Sequence, residues 1–231
     1  MTELKIIIPV YNEEDAIETV IKDWSDTLSS LKINFKICAF NDGSKDDTSK
    51  ILHELKSKYP NLVVTDKPNS GHGPTILKGY RDNLDVDWLF QVDSDDELRA
   101  NEFEKFWKAR EEFDFLIGKR IHRESPLPRI VTTQISRMVV KLFYGTKVKD
   151  VNAPFRLMRV ATFKDDIVRI PTDTFAPNLI IAGLASLRKM RVKQFDVRHH
   201  ERETGEVSIK KWSLFKAAFK SFLQTIKFRF S

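Results

Sequence analysis

A chain of 231 residues with 41% hydrophobic content can bury a full core and falls within one large α/β domain, with no internal repeat and no low-complexity linker. Its single cysteine, Cys38, lies in an apolar run and reads as a buried, inert thiol, which excludes a disulfide framework. The net charge of +6 belongs to the tail, because no acid follows Glu206 while Lys210, Lys211, Lys216, Lys220, Lys227 and Arg229 do.

The first apolar run, residues 4–10, has no cationic lead and no small-residue cleavage site, so it reads as a strand and not as a signal peptide. A cytoplasmic protein is expected. Strands are predicted over residues 5–9, 35–40, 62–65 and 88–92, each with too little polar alternation for a half-exposed sheet, so all four are expected to be central. Between them, helices are predicted over residues 15–31, 47–58 and 74–84. Asp15 and Asp47 are expected as first-turn acids and Pro74 at the first helical position. This alternation predicts an α/β fold with a mostly parallel sheet and helices on both faces. The second half is less regular, with amphipathic stretches over 129–144 and 174–187 and a strand over 192–197. Phe155 and Met158 read as core.

Open α/β sheets bind ligands beyond the carboxyl ends of their strands, which directs attention to residues 10–14, 41–46, 66–73 and 93–97. Asp93, Asp95, Asp96 and Glu97 crowd into the last of these. Like charges this close repel unless a cation compensates them, and all-oxygen ligands favour Mg²⁺ or Mn²⁺ over zinc. A solvated acidic helix start is the plainer alternative. His199 and His200 read as strand-end residues, since no partner stands at a metal-ligand spacing.

The run Ile8-Pro9-Val10-Tyr11-Asn12-Glu13-Glu14 resembles the first-strand motif of family 2 inverting glycosyltransferases of the GT-A fold, in their dolichyl-phosphate mannosyltransferase-like, polyprenyl-phosphate branch. Asn41-Asp42-Gly43-Ser44-Lys45-Asp46 resembles the second motif, and Asn69, Gly71, Gly73 and Gly79 the third loop. The resemblance covers most of the chain. It implies that Pro9, Tyr11, Asn12, Glu13 and Ser44 cradle the donor nucleoside and that Asp42 hydrogen-bonds its base. It also implies that Gly71 and Gly73 let the backbone approach the donor, with His72 facing a phosphate. Asp93-Ser94-Asp95-Asp96-Glu97 then stands for the DxD-type site, with Asp95 the main metal ligand and Asp93 and Glu97 completing it. Gly118-Lys119-Arg120 resembles a turn that offers Arg120 to an acceptor phosphate, and residues 150–159 the floor of the acceptor site. Arg202, Gly205, Ser208 and Lys210 resemble a late basic motif on the phosphates, with one extra residue in each of two gaps. Asp95, Arg120, Arg202 and Asp150 are thus the residues expected to carry transfer from a nucleotide diphosphate sugar.

The chemistry asks for these types independently: a metal with Arg or Lys can stabilise charge on a leaving phosphate, and an acceptor that is already a phosphate needs no strong base. A hydroxyl acceptor on a surface polysaccharide or glycolipid would need one, with Asp173 and Asp150 as candidates. A metal-dependent nucleotidyltransferase is the more distant alternative.

The sequence divides into a catalytic domain over 1–206 and a basic amphipathic helix over 207–231. On a helical wheel Trp212, Phe215, Phe219, Phe222, Leu223, Ile226 and Phe230 share one face flanked by lysines. This pattern suits the inner face of a membrane, or a helix laid on its own domain or on a membrane protein partner; it is too short in apolar length to cross a bilayer. Nucleic acid is not expected, because the bases flank an apolar face.

Overall fold

The computed structural model of the protein describes residues 2–121, 138, 141–145, 148–200 and 211–230, the last segment with side chains from Lys220 onward. β1 (Leu4–Val10) is buried along its whole length. Ile6 and Ile8 join the core on one face of the sheet and Ile7 the core on the other, as the two-residue period of a strand requires. α1 (Ile17–Ser30) buries Ile17, Val20, Ile21, Trp24 and Leu28, one stripe at helical spacing. β2 (Phe35–Asn41), α2 (Thr48–Lys58), β3 (Leu62–Asp66), α3 (His72–Arg81) and β4 (Trp88–Gln91) continue the alternation. After α4 (Glu104–Ala109) come β5 (Phe115–Ile121), β6 (Arg156–Arg159), α5 (Val160–Arg169), α6 (Pro177–Leu187), β7 (Val192–Arg198) and α7 (Lys211–Arg229).

The described strands form one seven-stranded sheet in the order β3-β2-β1-β4-β6-β5-β7. β6 runs antiparallel to both β4 and β5, and the other pairings are parallel. One face carries Trp24, Leu52, Phe90, Phe103, Phe106 and Phe155 under α1, α2 and α4; the other carries Ile7, Phe40, Ile76, Tyr80, Phe163 and Ile180 under α3, α5 and α6. Phe90 meets Phe103 and Phe155 edge-on, with centroids 4.8 and 4.7 Å apart.

Several expectations change. β3 is an edge strand and not a central one, with Val63 exposed, because β2 has β1 on its other side. Asp15 lies ahead of α1, Asp47 takes the N-cap of α2, and Pro74 is the third residue of α3, where a missing N–H still costs no helical bond. The stretch 174–187 is not amphipathic: α6 is buried on every side from Pro177 to Ser186, because it is wedged beside α3 and α5 and under α7. Of the stretch 129–144 only Met138 and residues 141–144 are described.

α7 lies on the body through Ser221 and Thr225, both buried, and through Phe228. Tyr144 Oη donates to Thr225 O at 2.6 Å, Arg229 Nε to Phe143 O at 3.2 Å, and Phe175 N to Gln224 Oε1 at 2.8 Å. On the wheel these contacts lie opposite Leu223 and Phe230, which are 50% and 71% exposed. The helix therefore packs by its small polar side and turns that part of its apolar stripe outward. No described helix is long and apolar enough to cross a membrane.

Candidate functional site

Parallel pairing brings the carboxyl ends of β1, β2, β3 and β4 to one edge of the sheet, and with them the four loops singled out above. Pro9 sits in β1 without cost: Val92 N donates to Ile7 O, and the β4 ladder ends there, so no donor is required at Pro9 on that side. Beyond it the first two loops are laced into one unit. Asn12, in the left-handed region at φ 53, donates its N–H to Ser44 Oγ at 3.0 Å, and its Oδ1 accepts Lys45 N at 2.9 Å. Glu13 N donates to Thr48 Oγ1 at 2.8 Å, and Asp47 N donates to Glu14 Oε2 at 2.8 Å. Tyr11, ahead of Asn12 in the first loop, is half-buried.

Asp42 does not face open solvent. Its carboxylate accepts Ser70 N at 2.8 Å and Gly71 N at 2.9 Å and pairs with Lys67, whose ammonium also donates to Ser70 Oγ and Thr75 Oγ1. The side chain expected to hydrogen-bond a base is thus the anchor of the third loop, and Lys67, unremarked in the sequence, is its partner. Gly71 has φ 91, a conformation side chains rarely adopt. Gly73 has a different reason: a Cβ there would stand 2.0 Å from Phe175 O, so its smallness serves the packing of the loop before α6.

The acidic loop follows β4. Gln91 Nε2 donates to Asp93 Oδ1 at 2.9 Å, and His72 Nε2 lies 3.6 Å from the same oxygen. Glu97 N donates to Asp95 Oδ1 at 3.2 Å, and Asp96 adopts φ 54. Burial, reinforced by Asp93 and Glu97, pushes the Asp95 carboxyl up to about 8. Burial, with the Glu97 charge added, also raises Asp93 against the pull of His72 and Arg120. Two acids held this unfavourably suit a cation. Yet among the described residues no three of His, Cys, Asp and Glu converge on a metal position. Glu97 is turned aside, its Oε2 2.9 Å from His199 Nε2, so the three-carboxylate set expected from sequence is not gathered. Asp93 and Asp95 fit a Mg²⁺-like ion that takes its remaining ligands from water and phosphate, the usual habit of that ion. His199, read as a strand-end residue, stands inside the site because β7 runs on beside β5 and His200 N reaches Glu97 O.

Arg120 lies on β5 and not in a turn. Its Nε and Nη2 grip Asp150 at 2.9 and 3.0 Å, with both side chains almost fully buried. The pair fixes the Arg120 guanidinium in place and occupies the Asp150 carboxylate, which draws Asp150 back from acting as a base. Asp173 is exposed and bonded by Gln224 Nε2. Arg202, Gly205, Ser208 and Lys210 lie outside the described residues. Burial pushes the Cys38 thiol up to about 11, as an inert thiol requires.

The comparisons agree on one family. The model described as glycosyl transferase family 2 matches residues 5–169. An uncharacterised protein of Methanocaldococcus jannaschii is 26% identical over 219 residues, covering 89% of this chain and 92% of its own length. The undecaprenyl-phosphate 4-deoxy-4-formamido-L-arabinose transferase of Yersinia enterocolitica is 24% identical over 217 residues, which is 93% of this chain but only 64% of that protein. The chain thus spans somewhat less than two thirds of that transferase's length. Among solved structures, Staphylococcus aureus TarS 1–349 in complex with UDP-GlcNAc superposes with TM-score 0.62 at 18% identity, over 93% of this chain and 64% of that one. Glucosyl-3-phosphoglycerate synthase of Mycobacterium tuberculosis, in complex with Mn²⁺, UDP and glucosyl-3-phosphoglycerate, gives 0.65 at 14% identity, over 98% and 80%. At such identities these structures speak for the fold, which is the GT-A type expected from the sequence. Laced loops after β1 and β2, an acidic loop after β4 and a family match over residues 5–169 converge: the protein belongs to glycosyl transferase family 2.

Proposed function

We propose that the chain is a divalent-metal-dependent, inverting glycosyltransferase that moves a sugar from a nucleotide diphosphate donor to a polyprenyl phosphate or a similar lipid-linked acceptor. The observation that carries this reading is the pair Asp93 and Asp95, whose carboxyls burial and neighbouring acids push up beside the laced loops of β1 and β2. In this reading Pro9, Tyr11, Asn12, Glu13 and Ser44 form the nucleoside wall, and Asp42, Gly71 and Gly73 set the loop that closes over it. Mg²⁺ or Mn²⁺, held by Asp93 and Asp95, would neutralise the departing diphosphate as the sugar bond breaks. Arg202 and Lys210 are assigned to the same phosphates. Arg120, fixed by Asp150, places a positive charge toward the acceptor end.

A phosphate acceptor is favoured over a hydroxyl because the two acids available as a base are engaged: Asp150 with Arg120, Asp173 with α7. The names of relatives that act on undecaprenyl phosphate point the same way. The decisive assay incubates the chain with labelled nucleotide sugars, polyprenyl phosphate and Mn²⁺ or Mg²⁺. Metal-dependent label in the organic-extractable product is expected; donor turnover into water or a hydroxyl acceptor, with none in the lipid, would sink the lipid-phosphate reading.

The outward stripe of α7, with Lys220 and Lys227 on its flank, is assigned to the cytoplasmic face of a membrane, where each basic residue near anionic lipid adds about 1 kcal/mol. Leu223→Ser combined with Phe230→Ser is expected to cut sedimentation with anionic vesicles several-fold without lowering the melting temperature, since neither side chain is buried in the body. Unchanged sedimentation would exclude this face as the lipid contact.

A further inference from the structure

Asp93 is held from behind by a chain of buried amides that the family motifs do not include. Tyr80 on α3 donates its hydroxyl to Asn178 Oδ1 at 3.0 Å. Asn178 at the start of α6 donates Nδ2 to Gln91 Oε1 at 3.0 Å, and Gln91 at the end of β4 donates Nε2 to Asp93 Oδ1 at 2.9 Å. Tyr80 and Gln91 are 0% exposed and Asn178 4%. Arg156, also 0% exposed, donates Nη1 to Asn178 O at 3.0 Å and so holds the backbone that carries the amide.

The direction of the chain is not arbitrary. An ionised carboxylate can only accept, so Gln91 must present its NH₂; its carbonyl must then accept from Asn178, and the Asn178 carbonyl from the phenol. Burial pushes the Tyr80 phenol up, which keeps it a donor. The surroundings are apolar: Ile7, Phe40, Leu89 and Ile180 belong to the same core cluster. Hydrocarbon at these positions would avoid desolvating two amides and a hydroxyl, and buried polar groups gain little stability over apolar ones of similar shape. Their use is therefore sought at the end where the chain terminates, on the acidic loop.

We propose that Gln91, Asn178 and Tyr80 are positioning residues that fix the Asp93 carboxylate through its Oδ1, leaving Oδ2 to a divalent cation. This rests on the reading that Asp93 holds such an ion. The relay joins the acidic loop to α6 and to α3, whose first turn carries His72 and follows Gly71 of the nucleotide-side loop. Cation and donor loop are thereby set by one rigid unit. Outer partners of this kind are worth about 10–100-fold in metal affinity.

The test uses the full chain and Mn²⁺, titrated by electron paramagnetic resonance alone and with UDP, with melting temperature measured in parallel. Gln91→Leu and Asn178→Leu are expected to weaken Mn²⁺ binding by about 10-fold or more and to raise the Mn²⁺ needed for half-maximal transfer, without a matching fall in melting temperature. Tyr80→Phe, which removes one hydroxyl and keeps the ring, gives a smaller loss in the same direction and serves if either leucine variant fails to fold. Equal Mn²⁺ affinity in the unaltered chain and in every folded variant overturns the proposal alone. No Mn²⁺ binding by the unaltered chain overturns it together with the cation reading it rests on.

Discussion

Asp95→Asn is expected to leave a folded protein whose kcat/KM for transfer has fallen about 1000-fold or more, the scale on which removing a charge stabiliser from a reacting centre is felt. The substitution keeps the shape and the acceptor that receives Glu97 N at 3.2 Å, so the loop need not collapse. What it removes is a charge that burial and its neighbours Asp93 and Glu97 make costly. The pH dependence carries the sign of that cost. An unfolded Asp releases its proton near pH ~3.9, whereas the folded Asp95 keeps it to about 8. Between those values the folded state binds more protons, so without a divalent ion stability is highest below the lower value and falls as pH rises through the upper one. Melting curves of the metal-free chain should therefore slope downward across this window, and less so in Asp95→Asn. Added Mn²⁺ should flatten the slope of the unaltered chain but not that of the variant. Identical slopes for the two metal-free proteins would mean that Asp95 does not carry the strained charge.

Asp42→Ala is expected to damage folding and donor binding together. The carboxylate is 3% exposed and serves Ser70 N, Gly71 N and the Lys67 ammonium, which is itself nearly buried. Removing one partner of such a pair leaves the other charge desolvated, at about 3 kcal/mol, the lower end of the usual range because Ser70 Oγ, Thr75 Oγ1 and Pro68 O still receive Lys67. For a domain of this size that lowers the melting temperature by roughly 10 °C. The loop over residues 67–71 would lose its anchor, and donor KM is expected to rise about 10-fold or more. If Asp42 instead only touched a nucleotide base, KM would rise with the melting temperature unchanged. Calorimetry beside donor titration separates the two.

Loop chemistry of this kind was legible in part because it is local. The run from Pro9 to Glu14 and the run from Asn41 to Asp46 are each contiguous, and each follows a strand whose apolar residues announce it. Their mutual lacing, Asn12 with Ser44 and Glu13 with Thr48, depends on register between β1 and β2 and could not be read from either run. Gln91 did carry a signal, a lone amide closing the apolar strand Trp88–Gln91, but its partner Asn178 is far away in sequence. Arg120 and Asp150 were both singled out, for separate tasks; only the pairing of β5 with the strands around it brings them together as one buried ion pair.

Period and punctuation in the sequence determined the class of this protein: short, unbroken apolar strand runs such as β1, a helical stripe in α1, and carboxylates massed after β4 demand an α/β sheet with an anionic site at its carboxyl edge. Tertiary structure alone decided that β3 lies at the edge, that β6 enters antiparallel, and that α6 is buried on all sides. It also decided that Asp42 anchors a loop and that α7 packs by Ser221 and Thr225, leaving Leu223 and Phe230 outward. The physical reason is range. Local pattern states which residues must leave water, but which partner covers them, and which charge a buried charge meets, is settled by chain segments brought together from across the sequence.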